Sequence, residues 1–266
     1  MQLSNILSFS ARTHFPDPLV SLQKNRFLRN RRATKHSSPS PSERFWLDPK
    51  LEQWEGNAAS SLVAVKGSYK LRFDVRDFCV NIVEYVRAAT VPVIWALPTP
   101  SEKDADVRTY STLDLLKHLT WQILRLNTML HAEASMSVTC ARFQSATDED
   151  QWFDLLASVT AGMDKIYVVI DVEILSSISA GRKSLPEAFL YMFAKLTDRG
   201  SKTVMKVVLV SYTPMVFSER VESRIRDLVV HVGSKAGSAF RGGPKRAQPR
   251  RVSLRAGGNS RRPSYR

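Results

Sequence analysis

The sequence predicts an α/β fold with a doubly wound, mostly parallel sheet, and two observations predict it. The runs SLVAVKG (61–67), VPVIWAL (91–97), KIYVVID (165–171) and TVMKVVLVS (203–211) are apolar along nearly their whole length instead of at every second residue, as strands buried on both faces are. Between them lie segments with apolar residues three and four apart. Strands therefore alternate with helices, the order that places a parallel sheet between two helical layers.

Each element has its own signal. The strand 61–67 stops at glycine, and Asp74 with Asp77 three residues on reads as a capping box for a helix carried by Val75, Phe78, Cys79, Ile82, Val83 and Val86. The strand 91–97 is β-branched and aromatic, and the loop PTPSEKDADVRTY follows it. The next helix opens at Ser111 with Asp114; Leu113, Leu116, Leu119, Trp121, Ile123 and Leu124 cover much of its circumference, so it packs on more than one side. Thr147 with Asp150 opens another, which Gly162 ends. After the strand 165–171, Ser184 with Glu187 caps a helix through EAFLYMFAKLTDR. The strand 203–211 follows, then a short helix over 219–227 and a fifth strand in LVVHV. The five tryptophans fall in or beside these elements and read as packing residues.

The chain's net charge of +14 is unevenly placed. Residues 1–44 carry 8 Lys/Arg against 2 acids and residues 233–266 carry 10 against none, which leaves the middle slightly acidic. Three regions follow: a basic, mostly disordered segment over 1–44, a folded domain over 45–232 with its boundary near Phe45, and a disordered Arg/Gly/Ser/Pro tail over 233–266 that cannot bury enough apolar surface to order itself. The tail's acid-free charge suits nonspecific attachment to nucleic acid by counterion release. No apolar run approaches the length of a membrane span. Cys79 and Cys140 lack CxxC spacing, so the expected compartment is the reducing cytoplasm. RNRRATKH and PKRAQPRR would suit nuclear import, and the Arg/Ser-bearing, acid-poor start would suit a mitochondrial presequence. The five histidines show no HxxxH or HExxH spacing, and nothing places Cys140 beside His118 or His131, so neither a histidine metal site nor a thiol nucleophile is expected.

In such sheets ligands bind beyond the carboxyl ends of the strands, so 67–74, 98–109, 171–173 and 211–214 line the expected site. A phosphate loop needs G-x-x-x-x-G-K-[ST] after the first strand. The chain offers GSYKLRFD: Gly67 holds the first glycine, while Arg72, Phe73 and Asp74 stand at the second glycine, the lysine and the hydroxyl. Arg72 adds a Cβ where backbone should close on phosphate, Phe73 removes the cation, and Asp74 sets a negative charge at an anion-binding helix end. Lys70 and Arg72 could restore some attraction. On the strand 165–171, Asp171 stands where a metal-facing acid would, with Glu173 as the nearby group for polarising water; its other reading is an acid that ends a strand and turns the chain.

These segments, from FWLDPKLEQWEG through KIYVVIDVEIL to VMKVVLVSYTP, resemble the nucleotide-binding region of fungal STAND-type proteins of the NACHT kind, which have a P-loop NTPase-like fold. The resemblance implies that Trp46 and Trp54 belong to a tryptophan-bearing lead-in. It also implies that Asp171 is the first acid of the metal strand, with Ile174 and Leu175 where its second acid and glutamate stand, and that Ser211 is the sensor serine, with Tyr212 in place of the following arginine. It therefore implies a degenerate Walker A loop. The expected function is a catalytically inactive, or nearly inactive, module for protein interaction or scaffolding. Such a module has no catalytic residues, needs no cofactor and has protein partners. One alternative is a residual ATP- or GTP-binding NTPase using Gly67, Lys70, Arg72 and Ser211 for the nucleotide, with magnesium on Asp171 and Glu173 beside it. The other is nonspecific nucleic-acid binding through the basic tails.

Overall fold

The computed structural model describes residues 15–34, 48–99, 110–127, 140–160, 162–175, 184–212 and 226–232. In chain order the elements are α1 (Pro18–Ala33), α2 (Pro49–Gly56), β1 (Ser61–Lys66), α3 (Arg72–Ala88), β2 (Val93–Ala96), α4 (Thr112–Leu126), α5 (Cys140–Ser145), α6 (Glu149–Val159), β3 (Lys165–Asp171), α7 (Leu185–Asp198), β4 (Val204–Ser211) and β5 (Val229–His231). All strand pairs are parallel, in the order β2-β3-β4-β1-β5.

Alternation along each strand explains why the strands are apolar throughout. Leu62 and Ala64, Val168 and Ile170, and Val207 and Leu209 face a core shared with α4, α6 and α7. Their neighbours Val63 and Val65, Tyr167 and Val169, and Val208 and Val210 face a second core made with α1, α2 and α3. With both faces covered there is no solvent side for polar residues to occupy. Phe78 and Phe189, each fully buried, anchor the two cores. Truncating either ring to alanine would cost about 3–5 kcal/mol.

The capping boxes Ser111/Asp114 and Ser184/Glu187 form as expected. Three local expectations are corrected. The box of α6 is Asp148 with Gln151, one residue after Thr147/Asp150. α3 starts at Arg72 behind Leu71, which makes no side-chain cap; Asp74 lies within the first turn and Asp77 is drawn away to Arg32. β2 is shorter than 91–97, because Pro92 precedes it and Leu97 has already left the ladder. The expected helix over 219–227 falls mostly outside the described residues; Arg226–Leu228 is a single 3-10 turn leading into β5.

The largest correction concerns residues 18–33, expected to lack fixed structure but folded as α1. Asp17 caps it, accepting from Leu19 N at 2.8 Å and Val20 N at 3.2 Å, with Pro18 at the first helical position. Its arginines recur three apart and meet polar groups spaced along α3: Arg26 and Arg29 pair with Glu84 at 3.2 and 2.8 Å, Arg29 donates to Asn81 at 2.6 Å, and Arg32 pairs with Asp77. Leu22 is its buried apolar residue, so the hydrophobic signal is faint and charge registers the helix.

Two polar devices brace the sheet. Lys206 on β4, fully buried, donates to Trp54 O at 2.8 Å, Ala59 O at 3.2 Å, Ser61 Oγ at 3.0 Å and Asn57 O, and so fixes the end of α2 to the sheet. At the edge strand β2, the Gln122 amide of α4 donates to Trp95 O at 2.8 Å and accepts from Trp95 N at 3.1 Å. Among the described residues no helix is long and apolar enough to cross a membrane.

Candidate functional site

Because β4 lies between β1 and β3, the carboxyl ends of all three converge. Lys66 pairs with Ser211 and Asp171 with Val210, which brings Gly67, Asp171 and Ser211 to one edge of the sheet. The sequence-predicted residues Gly67, Asp171, Glu173 and Ser211 therefore do meet, joined by Tyr212, expected in the site lining in place of an arginine, and by Arg76, which the sequence did not single out.

Asp171 is fully buried. Its Oδ1 accepts the Glu173 N–H at 3.1 Å, which closes the 3-10 turn Val172–Ile174. Glu173 turns back to β4, where its Oε1 accepts from Ser211 Oγ at 2.8 Å and from the Tyr212 N–H at 2.9 Å. The other oxygen of Asp171 faces Arg76 Nε at 3.6 Å, close enough for charge attraction and too far for a hydrogen bond. Neither atom has a hydrogen-bond partner among the described residues. Arg76 donates instead through Nη2 to the Tyr212 hydroxyl at 2.5 Å, with its guanidinium over that ring at 5.2 Å.

Burial pushes the Asp171 carboxyl up to about 7, with Arg76 pulling in the opposite direction. Burial and the Asp171 charge also raise the Tyr212 phenol. Burial opposes the Arg76 charge, but Asp171 and Tyr212 outweigh it and hold the guanidinium charged. The cation facing Asp171 is thus one of the chain's own side chains.

A magnesium ion takes oxygen ligands in near-octahedral geometry and keeps several waters. The residues at this edge do not fit it as they stand. The outward oxygen of Asp171 faces a guanidinium, while Glu173 and Ser211 are bonded to each other. Among the described residues no group of three or more His, Cys, Asp or Glu could hold a metal ion.

The loop after β1 is also wound up. Gly67 donates to Ser211 O at 2.8 Å, Tyr69–Leu71 form a 3-10 turn, and the Leu71 N–H is used on Ser68 O at 2.8 Å. A Cβ at Gly67 would meet Val75 Cγ2 at 2.9 Å, so glycine is needed here for the close approach of α3. Arg72 donates to Tyr69 O at 3.0 Å and lies over the Tyr69 and Phe73 rings at 4.1 and 4.2 Å. Lys70 is exposed on the turn. Of the residues expected around the site, 100–109 and 213–214 lie outside the described set. A cavity of about 610 Å³ lies at the other end of the sheet, lined in part by Arg142, Arg199 and Lys202.

Arg76 carried little signal in the sequence. It lies one turn beyond Arg72 with Asp74 and Asp77 as charged neighbours, so nothing local separates it from an ordinary polar helix position. Tyr212 carried no signal beyond being an aromatic where an arginine was expected.

The five-stranded, all-parallel sheet flanked by helices is consistent with a P-loop NTPase-like fold. No family model and no curated protein matches the chain. A crystal structure of a DNA replication initiation factor aligns with 74% of the chain at 13% identity and a TM-score of 0.33. The aligned part spans about half of that structure, 48% of its length. A likeness at this level speaks to neither activity nor partner.

Proposed function

We propose that the chain is a STAND/NACHT-like, P-loop NTPase-like domain that has given up nucleotide hydrolysis and works as a protein-interaction or scaffold module. The observation that carries this reading is the placement of Arg76. Its guanidinium faces the acid that would face a metal, and Tyr212 holds it there. A monovalent side-chain cation supplies the countercharge without an ion or a phosphate. The wound loop adds support, since Leu71 spends its N–H within the turn and Asp74 stands in the first turn of α3, both unfavourable to a bound anion. On this reading the fold is locked in one state and needs no cofactor, ATP and GTP with magnesium included. Protein partners and a cytoplasmic location remain part of the same proposal.

The test is thermal unfolding of the full chain with millimolar MgATP, MgGTP and the diphosphates, beside a phosphate-release assay. The expected result is an unchanged midpoint and no turnover. A midpoint that rises with nucleotide concentration, as mass action requires of a ligand selective for the folded state, would favour the residual NTPase instead. Turnover that Asp171→Asn abolishes would overturn the proposal.

A further inference from the structure

At the mouth of the closed site, aromatic rings and guanidinium groups alternate. The Arg72 guanidinium lies 4.1 Å from the Tyr69 ring and 4.2 Å from the Phe73 ring, and Arg32 of α1 lies 5.0 Å from Phe73. Tyr69 in turn approaches Tyr212 with ring centroids 6.4 Å apart, and Arg76 lies over Tyr212. The outer part of this ladder is open: Tyr69 is 62% and Phe73 39% exposed. Large aromatics at the start of a helix are costly to leave in water when a core is available, and both core clusters are filled without them.

We propose that the Tyr69–Arg72–Phe73–Arg32 ladder is a docking surface for single-stranded nucleic acid. The ligand class follows from the chemistry. Nucleobases stack on aromatic faces and on guanidinium planes alike, and the phosphates between them need cations, a combination that an acidic peptide cannot use in full. Lys70 is exposed on the same turn and Arg72 lies within the ladder. The acids nearby are Asp74 and Asp77, the latter paired with Arg32. The chain's net charge of +14, carried by its two ends, favours a polyanion at long range without singling out this surface. Stacking makes this surface selective for unpaired bases, whereas charge alone favours the more densely charged duplex. The ladder also depends on α1, since Arg32 comes from that helix, which Arg26, Arg29 and Arg32 pair to Glu84, Asn81 and Asp77 of α3.

The experiment is fluorescence-anisotropy titration of labelled dT oligonucleotide and of a duplex of equal length, using the full chain so that both basic ends are the same in every variant. Tyr69→Ala with Phe73→Ala should weaken dT binding by about tenfold or more, the loss expected when stacked bases lose their platforms. Duplex binding should be untouched. Tyr69→Trp with Phe73→Trp should retain dT binding, and Arg72→Ala should lower the salt slope by about one. Tyr69 and Phe73 are exposed and Arg72 is half-buried, and a cooperative melt verifies the fold of each variant. Absence of dT binding by the wild type, or equal dT affinity in wild type and double alanine variant, would overturn the proposal. So would equal losses on single strand and duplex.

Discussion

Asp171→Asn should stabilise the protein at alkaline pH, although it removes half of an ion pair. The folded carboxyl titrates at about 7 and the unfolded one near 3.8. Between those values the folded chain holds a proton that the unfolded chain has released. The sign follows: the carboxyl costs nothing below 3.8, the cost grows as pH rises, and it is complete above about 7. At about 1.36 kcal/mol for each pH step, the full cost is roughly 4 kcal/mol. The origin is geometric, since Asp171 is fully buried and its outward oxygen is 3.6 Å from Arg76, without the hydrogen bond that would make the pair worth its desolvation. Asparagine keeps the shape and the neutral state. Urea unfolding of wild type and variant at a series of pH values from 4 to 8 should give curves that coincide at the acid end and diverge by up to about 4 kcal/mol at the other. A variant less stable than wild type at pH 8 would refute the reasoning and would mean that the Arg76 pairing outweighs burial.

His118 provides an opposing titration. Burial between Phe15 and Trp121 lowers it from 6.5 to about 4, so the unfolded chain takes up its proton first and stability falls by up to about 3 kcal/mol as pH drops through that window. In the wild type this slope and that of Asp171 largely cancel. His118→Phe, followed by urea unfolding, should expose the Asp171 slope, with stability rising on acidification. A decline on acidification as steep as that of Asp171→Asn would contradict it. Gly67→Ala should cost about 1–3 kcal/mol by driving a Cβ against Val75, and Val75→Ala in the same chain should recover part of that loss; a fully tolerated Gly67→Ala would show that α3 can withdraw.

Legibility divided by the kind of force involved. The strands were readable because burial on both faces removes polar residues, and the two long capping boxes were readable because their chemistry is local. Asp171 and Ser211 could be placed at one edge from element order alone, once strands and helices alternated. What the sequence hid was long-range and polar. α1 carries a single buried leucine, and what positions it is the match between its arginines and Asp77, Asn81 and Glu84 some fifty residues later. Arg76 faced the same difficulty: a charged residue in a helix declares a solvent face until the fold supplies an acid opposite it. Asp74 with Asp77 satisfied a local capping rule, yet helix α3 began two residues before Asp74 because Gly67 and the 3-10 turn deliver the chain there.

The two contacts that the Gln122 amide makes to Trp95 bear on how copies of the chain meet one another. β2 lies at the border of a parallel sheet, where unused N–H and C=O groups invite a strand from another molecule. The amide offers one donor and one acceptor, as a peptide group does, and engages both backbone groups of the residue at the middle of that border. A foreign strand would have to dislodge α4 before it could pair there. One side chain thus acts as a plug against open-ended sheet growth, at a border that would otherwise be open to chain-to-chain pairing.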